Sequence, residues 1–469
     1  MVISQATRGL GPALLLLCVT NFVDAMDVST MGVALPAIQA ELGMAPTALQ
    51  WAVSAYVIGY GGFLLLGGRV GDILGHRRVF IWSLGVFAVG SLAGGMVNDE
   101  TTLILTRLIK GIAAAFSTPA ALALLLSIFH EKEARGKALG VFAAASATGF
   151  VLGMVLGGAA TIFSWRVTLV MGAPAILIVL AFAPVVLPAD PRKIEKHAKF
   201  DWAGALTVTP GLLLLVFGIT SAANKGWYST VSLGSLFVAV GLIVWFIFLE
   251  STHIDPMVPL KIFRKKTLCH ANAVSALNQG CYIGFQFVAV IYYQHGLGWS
   301  SLLTGLSFTF GGLVMMVLSR RFAALAQSRG PTSIMTIGMS FQAASYIFWA
   351  VARDHAHPIF LVALSQVLQG LGYTMVFPAV QIAALSDVED RDAGLASSLL
   401  FAAFQIGSGI VLAITSAVFS VASARGWNPY SVSMGFLCCL AIISTLVAAM
   451  GPRKASAASA VTLSDPTAT

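Results

Sequence analysis

The sequence predicts an all-α polytopic membrane protein with about fourteen transmembrane helices. Hydrophobic residues make up 58% of the 469-residue chain and charged residues 10%, whereas soluble domains carry about 25% charged residues. The apolar residues form blocks of about 20, the length that crosses a hydrocarbon core of roughly 30 Å. Stretches such as 212–219 do not alternate apolar with polar residues, as the strands of an outer-membrane barrel would. Helices are therefore the predicted spanning elements.

The apolar blocks also predict how the chain is divided. A six-helix half is expected over 1–188, two inserted helices with cytoplasmic linkers over 189–267, and a second six-helix half over 268–452. Residues 453–469 are predicted to be a disordered tail. The predicted helices lie near 11–36, 47–68, 78–97, 101–129, 136–162, 166–187, 202–223, 230–250, 268–293, 300–319, 331–352, 357–385, 393–422 and 430–450.

Lysine and arginine residues concentrate on one side of the predicted membrane. Of the 27 Lys and Arg residues, 21 fall on the side of both termini, four fall on the other side, and Arg107 and Lys110 lie inside a helix. The positive-inside rule then predicts cytoplasmic termini, and we expect a bacterial inner membrane. This topology accounts for the net charge of +8, so nucleic-acid binding is not expected. The five cysteines have no metal-ligand spacing, so neither a metal nor a cofactor is expected.

An internal repeat relates the two predicted halves. Residues 107–111 (RLIKG) in predicted helix 4 match residues 366–370 (QVLQG) in predicted helix 12. In both places a proline follows eight residues after the glycine. Repeats of parallel topology with a substrate site between them are a design of secondary transporters.

Several motifs accompany this repeat in or beside helices 1, 2, 4, 5 and 6. Helix 1 ends with MDVSTMGVALP at residues 26–36, and the loop after helix 2 reads GRVGDILGHRR at residues 68–78. Together the motifs resemble the major facilitator superfamily, specifically its fourteen-helix drug:proton antiporter branch. The remaining residues that carry the resemblance, from the loop signature, helix 4, the helix-5 antiporter motif and helix 6, are Gly68, Asp72, Gly75, Arg77, Arg78, Arg107, Gly111, Gly149, Gly153, Gly157, Gly158, Trp165, Arg166 and Pro174.

The resemblance implies a proton-coupled antiporter that exports amphipathic drugs, antibiotics or secondary metabolites by alternating access, as in multidrug and antibiotic resistance. Three residues depart from the family pattern: Met154 replaces a proline, Lys110 a glutamine and Ile73 an arginine. A proton-coupled or facilitative importer of a small organic solute therefore stays open as the alternative. The sequence has no nucleotide-binding P-loop and no cluster of metal-ligand spacing, which argues against an ATP-driven pump and against an enzyme.

Two of the motifs are expected to act on conformation. The loop residues Gly68, Asp72, Gly75, Arg77 and Arg78 are predicted to form a cytoplasmic lock in which Asp72 pairs with a basic residue. The glycines of helix 5, four residues apart, are expected to allow a close helix approach.

Four charged residues lie inside predicted helices 1 and 4: Asp24, Asp27, Arg107 and Lys110. Each charge costs roughly 2.5–3.5 kcal/mol at a helix centre, so such residues usually face a cavity and have a function. Depth counted at about 1.5 Å per residue predicts that Asp27 lies near Arg107 and Asp24 near Lys110. We expect these residues to couple transport to protons, and a static ion-pair cluster is the alternative.

Helix 12 carries glutamines where helix 4 carries these cations, so the fold does not require charge there. The C-terminal half offers neutral polar groups that can hydrogen-bond and stack. The expected partners are thus a small-molecule substrate, protons and the lipid bilayer. The candidate substrate-binding residues are Gln286, Tyr293, Gln294, Gln366, Gln369 and Tyr373.

Overall fold

The computed structural model describes residues 3–44, 46–129, 131–190, 202–226, 228–252, 260–388 and 393–452. The predicted disordered tail and most of the predicted linkers lie outside these residues. The described parts contain a 3-10 turn at Leu260–Arg264, a π-helical segment at Tyr292–Gly296 and sixteen α-helices. These helices are α1 Ile3–Leu42, α2 Pro46–Leu74, α3 His76–Gly94, α4 Glu100–Ile128, α5 Lys132–Phe163, α6 Trp165–Val170, α7 Ala173–Val186, α8 Trp202–Lys225, α9 Thr230–Thr252, α10 Lys266–Ile291, α11 Ser301–Ser307, α12 Thr309–Arg329, α13 Pro331–Ala352, α14 Pro358–Leu385, α15 Ala393–Ala424 and α16 Pro429–Ala449.

Each predicted helix has a helical counterpart, with predicted helix 6 divided into α6 and α7 and predicted helix 10 into α11 and α12. Within the described ranges, eleven spans are long and apolar enough to cross a membrane. Helix α2, bent by 50° near residue 65, makes a twelfth if it is counted as one span. Helices α3 and α8 fall short of that criterion. The all-helical membrane fold is confirmed, and the number of fourteen crossings stays a prediction.

The two halves repeat the same packing. Helix α4 packs against α2 and α3, and α14 packs against α12 and α13 in the same way. The repeat glycines lie at equivalent crossings: a Cβ on Gly111 would lie 2.9 Å from Tyr56 Cα, and one on Gly370 would lie 2.8 Å from Gly311 Cα. The sequence repeat thus corresponds to two equivalent helix contacts that need a residue without a side chain.

The halves meet along two seams. On the predicted cytoplasmic side, α2 packs against α15, and α8 contacts both of these helices. On the predicted outer side, α5 packs against α11 and α12. Helix backbones lie close in this second seam, because a Cβ on Gly158 would lie 2.6 Å from the Ser301 carbonyl oxygen.

Candidate functional site

Three of the four charged residues in helices 1 and 4 form one buried cluster. The two carboxylate oxygens of Asp27 in α1 pair separately with Arg107 and Lys110 in α4. Asp27 is 4% exposed and each cation is 1% exposed. Buried charges are retained in proteins when they are paired and hydrogen-bonded in this way.

Each cation has further partners on neighbouring helices. The Nε of Arg107 donates to the Ala52 carbonyl at 3.0 Å, and its guanidinium lies 4.6 Å from the centre of the Tyr56 ring, both on α2. The Nζ of Lys110 donates to the Leu169 carbonyl of α6 at 3.2 Å and lies 4.8 Å from the Phe87 ring of α3. The cluster therefore connects five helices of the N-terminal half through charged and cation–π contacts.

Asp24 is separate from this ion-pair cluster. Its half-buried carboxylate accepts a hydrogen bond from the Tyr56 hydroxyl. Asp27 is found beside Arg107, as expected, and Lys110, which was expected near Asp24, forms its ion pair with Asp27. Counting depth along the helices ignored the direction of the long lysine stem, which follows α3 and packs against Gly90 before reaching Asp27.

The helix-5 glycines bring α5 against the charged segment of α1. A Cβ on Gly149 would lie 2.9 Å from Phe22 Cα, and one on Gly153 would lie 2.8 Å from the Met26 carbonyl oxygen. The next glycine of the motif continues the same line, since a Cβ on Gly157 would lie 2.9 Å from Thr30 Cα. Helix α1 is thus held against α5 along the two turns that carry Asp24 and Asp27.

The opposite face of α5 touches the C-terminal half. Gly158 faces α11 in the outer seam, and a Cβ on Gly305 of α11 would lie 3.0 Å from the Met154 carbonyl carbon. The Nε2 of Gln286 in α10 lies 3.4 Å from the Met154 sulfur. Helix α5 therefore lies between the charged segment of α1 and the C-terminal half.

The signature loop contains a carboxylate contact that the sequence motif does not include. Gly75, at φ +98°, lies against Asp190, and a Cβ there would lie 2.8 Å from Asp190 Oδ1. The Asp190 oxygens accept the backbone N–H groups of Arg77 and Arg78 at 2.9 and 3.2 Å. Asp190 thus joins the end of α7 to the start of α3.

The other members of the predicted lock make weaker contacts. The carboxylate of Asp72 is largely exposed and lies 3.4 Å from His76, one turn along the chain. A Cβ on Gly68 would lie 3.8 Å from the hydroxyl of Ser398 in α15. The loop therefore adjoins the seam between α2 and α15, and its most direct carboxylate contact is with Asp190.

The candidate substrate residues of the C-terminal half occupy three environments. Gln294 donates to the Val33 carbonyl of α1 at 3.2 Å and so bridges the halves. Tyr373 donates to Gln279 at 3.1 Å, and its ring lies 4.7 Å from that of Tyr282. The remaining residues are buried on α10, its π-helical extension and α14: Gln286, Tyr293, Gln366 and Gln369.

Aromatic rings continue from Tyr373 across the interface between the halves. Tyr282 lies 5.7 Å from Phe150 of α5, and Tyr373 lies 5.8 Å from Phe377 in a stacked arrangement. Among the described residues, Tyr293 Oη, Gln366 Nε2 and Gln369 Oε1 are buried without a hydrogen-bond partner. This region therefore offers stacking surfaces and neutral hydrogen-bonding groups, while the charges lie in the other half.

The comparisons with known proteins show the family to which the chain belongs. A sequence model of the Major Facilitator Superfamily matches residues 17–354 and 268–466 in two overlapping stretches. The chain belongs to the major facilitator superfamily. The family resemblance of the motifs is thereby confirmed.

Several relatives of this major facilitator protein are named for antibiotic resistance or export. It is 32% identical to the puromycin resistance protein pur8 of Streptomyces alboniger over 90% of this chain and 85% of that protein. It is 31% identical to the cephamycin export protein CmcT of Amycolatopsis lactamdurans over 86% of this chain and 83% of that protein. The structure of a D-xylose-proton symporter matches with a TM-score of 0.69 at 13% identity, covering 94% of this chain and 97% of the symporter. That likeness shows the shared fold.

Some residues of this major facilitator site were not found from the sequence. Tyr56, four residues before Tyr60 in an apolar helix, touches both Asp24 and Arg107, and the pair of tyrosines was the available signal. The carbonyl groups of Ala52 and Leu169 leave no mark in a sequence, because every residue has one. Asp190 follows the last apolar residues before the linker, and only its position against Gly75 identifies it.

Proposed function

We propose that the protein exports amphipathic antibiotics or drugs in exchange for protons by alternating access. The observation that carries this proposal is the carboxylate of Asp27, buried in the membrane region with two cations on it. The same proposal takes the chain to cross a bacterial inner membrane fourteen times, with both termini in the cytoplasm.

Proton exchange requires a carboxylate whose surroundings differ between two conformations. With Arg107 and Lys110 in contact, the ionised form of Asp27 is favoured, because opposite charges stabilise each other. If rocking of the halves withdraws either cation, the protonated form becomes more favourable. Helix α5 is suited to transmit that motion, because its Gly153 contacts α1 while Met154 contacts the opposite half.

Substrate recognition is assigned to the neutral side of the interface. Tyr282, Tyr373 and Phe377 supply ring faces for an amphipathic molecule, and the amide of Gln279 lies beside them. Most ligand sites combine an apolar surface with a few placed polar groups. The names of the relatives favour antibiotics as substrates, and puromycin is the first to test.

The cytoplasmic loop is assigned to the conformational cycle. The contact of Asp190 with Gly75 and the backbone N–H groups of Arg77 and Arg78 joins α3 to α7. Asp72, largely exposed beside His76, is available to change partner when the cytoplasmic seam opens. Loss of either carboxylate is therefore expected to slow transport without preventing membrane insertion.

The proposal is tested with toxic amphiphiles, puromycin among them, on cells that express or lack the protein. Expression should raise the tolerated concentration of at least one compound, and a protonophore should abolish the difference in accumulation. Proteoliposomes with an imposed pH gradient then separate export from import. Transport that ignores the gradient would remove the proton coupling, and gradient-driven movement of substrate in the same direction as protons would favour the importer.

A further inference from the structure

A groove of about 560 Å³ runs along the exposed face of α3. It extends from Ile81 to Ala93, with Ile109 of α4 and Leu180 of α7 on its sides. The lining is apolar apart from Thr106. Twelve residues of helix span about 18 Å, which is close to the roughly 15 Å of hydrocarbon in one leaflet. The groove thus has the length and polarity of a single acyl chain.

A second cavity of about 300 Å³ lies at the first turn of α3. Its lining consists of Arg77, Arg78, Ile81, Ala189 and Asp190. Ile81 lines both cavities, so the basic pocket lies at the end of the apolar groove. In the predicted topology this end is at the cytoplasmic surface, where the headgroups of the inner leaflet lie.

The two arginines keep donor groups for an anion even though a carboxylate is present. Asp190 accepts the backbone N–H groups of Arg77 and Arg78, which leaves both guanidinium groups for other partners. One guanidinium nitrogen of Arg77 donates to the Pro184 carbonyl. Its Nε is buried with no hydrogen-bond partner in the described part of the chain. With two cations and one anion, the pocket has a formal charge of +1.

We propose that this continuous site binds an anionic phospholipid. The headgroup phosphate lies against Arg77 and Arg78, and one acyl chain occupies the groove of α3. Arginine is suited to phosphate because its guanidinium offers several donors in one plane. Basic pockets beside transmembrane helices on the cytoplasmic side are suited to anionic headgroups. A zwitterionic lipid fills the groove equally well and gains less from the pocket.

The bound lipid would also act on the signature loop. Its phosphate would touch the residues whose backbone holds Asp190 against Gly75, so the lipid would stabilise the α3–α7 contact. Lipid composition would then affect how readily the cytoplasmic side rearranges.

Two substitutions test the two parts of the site separately. Gly85 lines the groove, and a Cβ there meets no atom within 4 Å, so Gly85→Leu is chosen to place a side chain in the groove. Gly241 on the exposed face of α9 has equally open surroundings, so Gly241→Leu is the matched control. Arg78→Gln removes one guanidinium from the pocket, and it leaves the Arg77 contact with Pro184 intact.

The measurement is lipid binding to the purified full-length protein by native mass spectrometry. Phosphatidylglycerol should bind about tenfold more tightly than phosphatidylcholine. Gly85→Leu should weaken both lipids, Arg78→Gln should weaken phosphatidylglycerol alone, and Gly241→Leu should change neither. Brominated phosphatidylglycerol should quench tryptophan fluorescence less in Trp82→Phe, because Trp82 lines the groove and is 78% exposed.

Several outcomes overturn the proposal. Equal affinity for the two lipids removes the role of the arginines. Unchanged binding in Gly85→Leu, with glycerol phosphate competing as well as the whole lipid, reduces the site to a pocket for small anions. A thermal melt of each variant shows whether it is folded, and Arg78→Gln gives an independent result if Gly85→Leu fails to fold. None of these measurements depends on transport, so the lipid site stands or falls separately from the proposed export.

Discussion

Lys110 forms its ion pair with Asp27 and not with Asp24, although the two aspartates are three residues apart on one helix. Asp27 therefore holds both buried cations of α4, while Asp24 has the phenol of Tyr56 as its polar contact. Two carboxylates that look equivalent in the sequence are thus chemically different, and the difference leads to distinct expectations for their variants.

Asp27→Asn should abolish uphill transport and retain exchange. The amide imitates the protonated carboxylate permanently, so the substrate can still cross while no proton is taken up or released. Counterflow and pH-gradient-driven uptake are measured in the same proteoliposomes. Asp24→Asn is the comparison and should keep most of the gradient-driven rate, because it removes a hydrogen bond and no ion pair. An Asp27→Asn variant that still concentrates substrate with the gradient would disprove the proton-carrier role.

Arg107→Gln and Lys110→Gln should each lower stability and transport. Each cation binds a backbone carbonyl and an aromatic ring besides Asp27, and removing one partner of a buried ion pair costs about 3–5 kcal/mol. Thermal melting and transport are measured for each. A purely structural cluster predicts that the triple variant Asp27→Asn, Arg107→Gln, Lys110→Gln regains both stability and gradient-driven transport. Proton coupling through Asp27 predicts recovered stability alone.

Gly153→Ala should strongly reduce transport and lower the melting temperature. Its new Cβ would lie 2.8 Å from the Met26 carbonyl oxygen and close to the Ser29 hydroxyl, so α1 must move away from α5. Gly140→Ala in the same helix is the control, because nothing lies within 4 Å of the added methyl group. Equal behaviour of the two variants would show that the close contact of α5 with α1 is dispensable.

Gly75→Ala should slow transport more than backbone strain alone explains. Gly75 and Gly330 both have positive φ, +98° and +89°, but Gly330 has open space where Gly75 meets Asp190. A residue with a Cβ costs about 1–3 kcal/mol in a sparsely populated backbone region of this kind, and both alanine variants share such strain. Transport rates of the two variants, each corrected for the amount in the membrane, isolate the loss of the Asp190 contact. Asp190→Asn should reproduce part of the effect of Gly75→Ala.

The predicted topology can be checked with single cysteines on a background without the five native ones. A cysteine at Arg78 should be protected from an impermeant reagent in intact cells, and one at Asn98 or Asp354 should react. Each site lies at a helix end in the structure. Labelling at position 78 from outside would reverse the orientation derived from the positive charges.

Much of the architecture could be predicted because membrane helices leave a direct signal. Blocks of apolar residues located every helix, and the repeat around Gly111 and Gly370 located two equivalent crossings. The division of predicted helix 6 after Val170 was not foreseen, because the apolar run continues unbroken through Met171. That division contributes to the site, since Leu169 in the last turn of α6 offers its carbonyl to Lys110.

The site was predictable as a set of charges and less so as a geometry. Placing a charge in a membrane costs free energy, so the four charged residues inside apolar helices can be identified as functional candidates from the sequence. They are Asp24, Asp27, Arg107 and Lys110. Which of them pair depends on how each helix is rotated about its axis and on how far each side chain reaches. Depth along the helix axis gives neither of these. The partners from other helices, Tyr56 and Asp190 among them, become visible only when the helices are packed.

The outer seam has a consequence for the energetics of the cycle. Around Gly158 and Gly305 the two helices meet through backbone atoms, whose amide groups are already satisfied within each helix. Parting them there strands no polar group, so this contact adds little to the free-energy difference between the open and closed forms. A transporter that cycles between two conformations needs free energies that are nearly equal for both. The reason is that a ligand shifts the equilibrium only by its own preference for one conformation. Larger residues in place of these two glycines would therefore change the relative free energies of the open and closed conformations. One conformation would accumulate, and transport would slow.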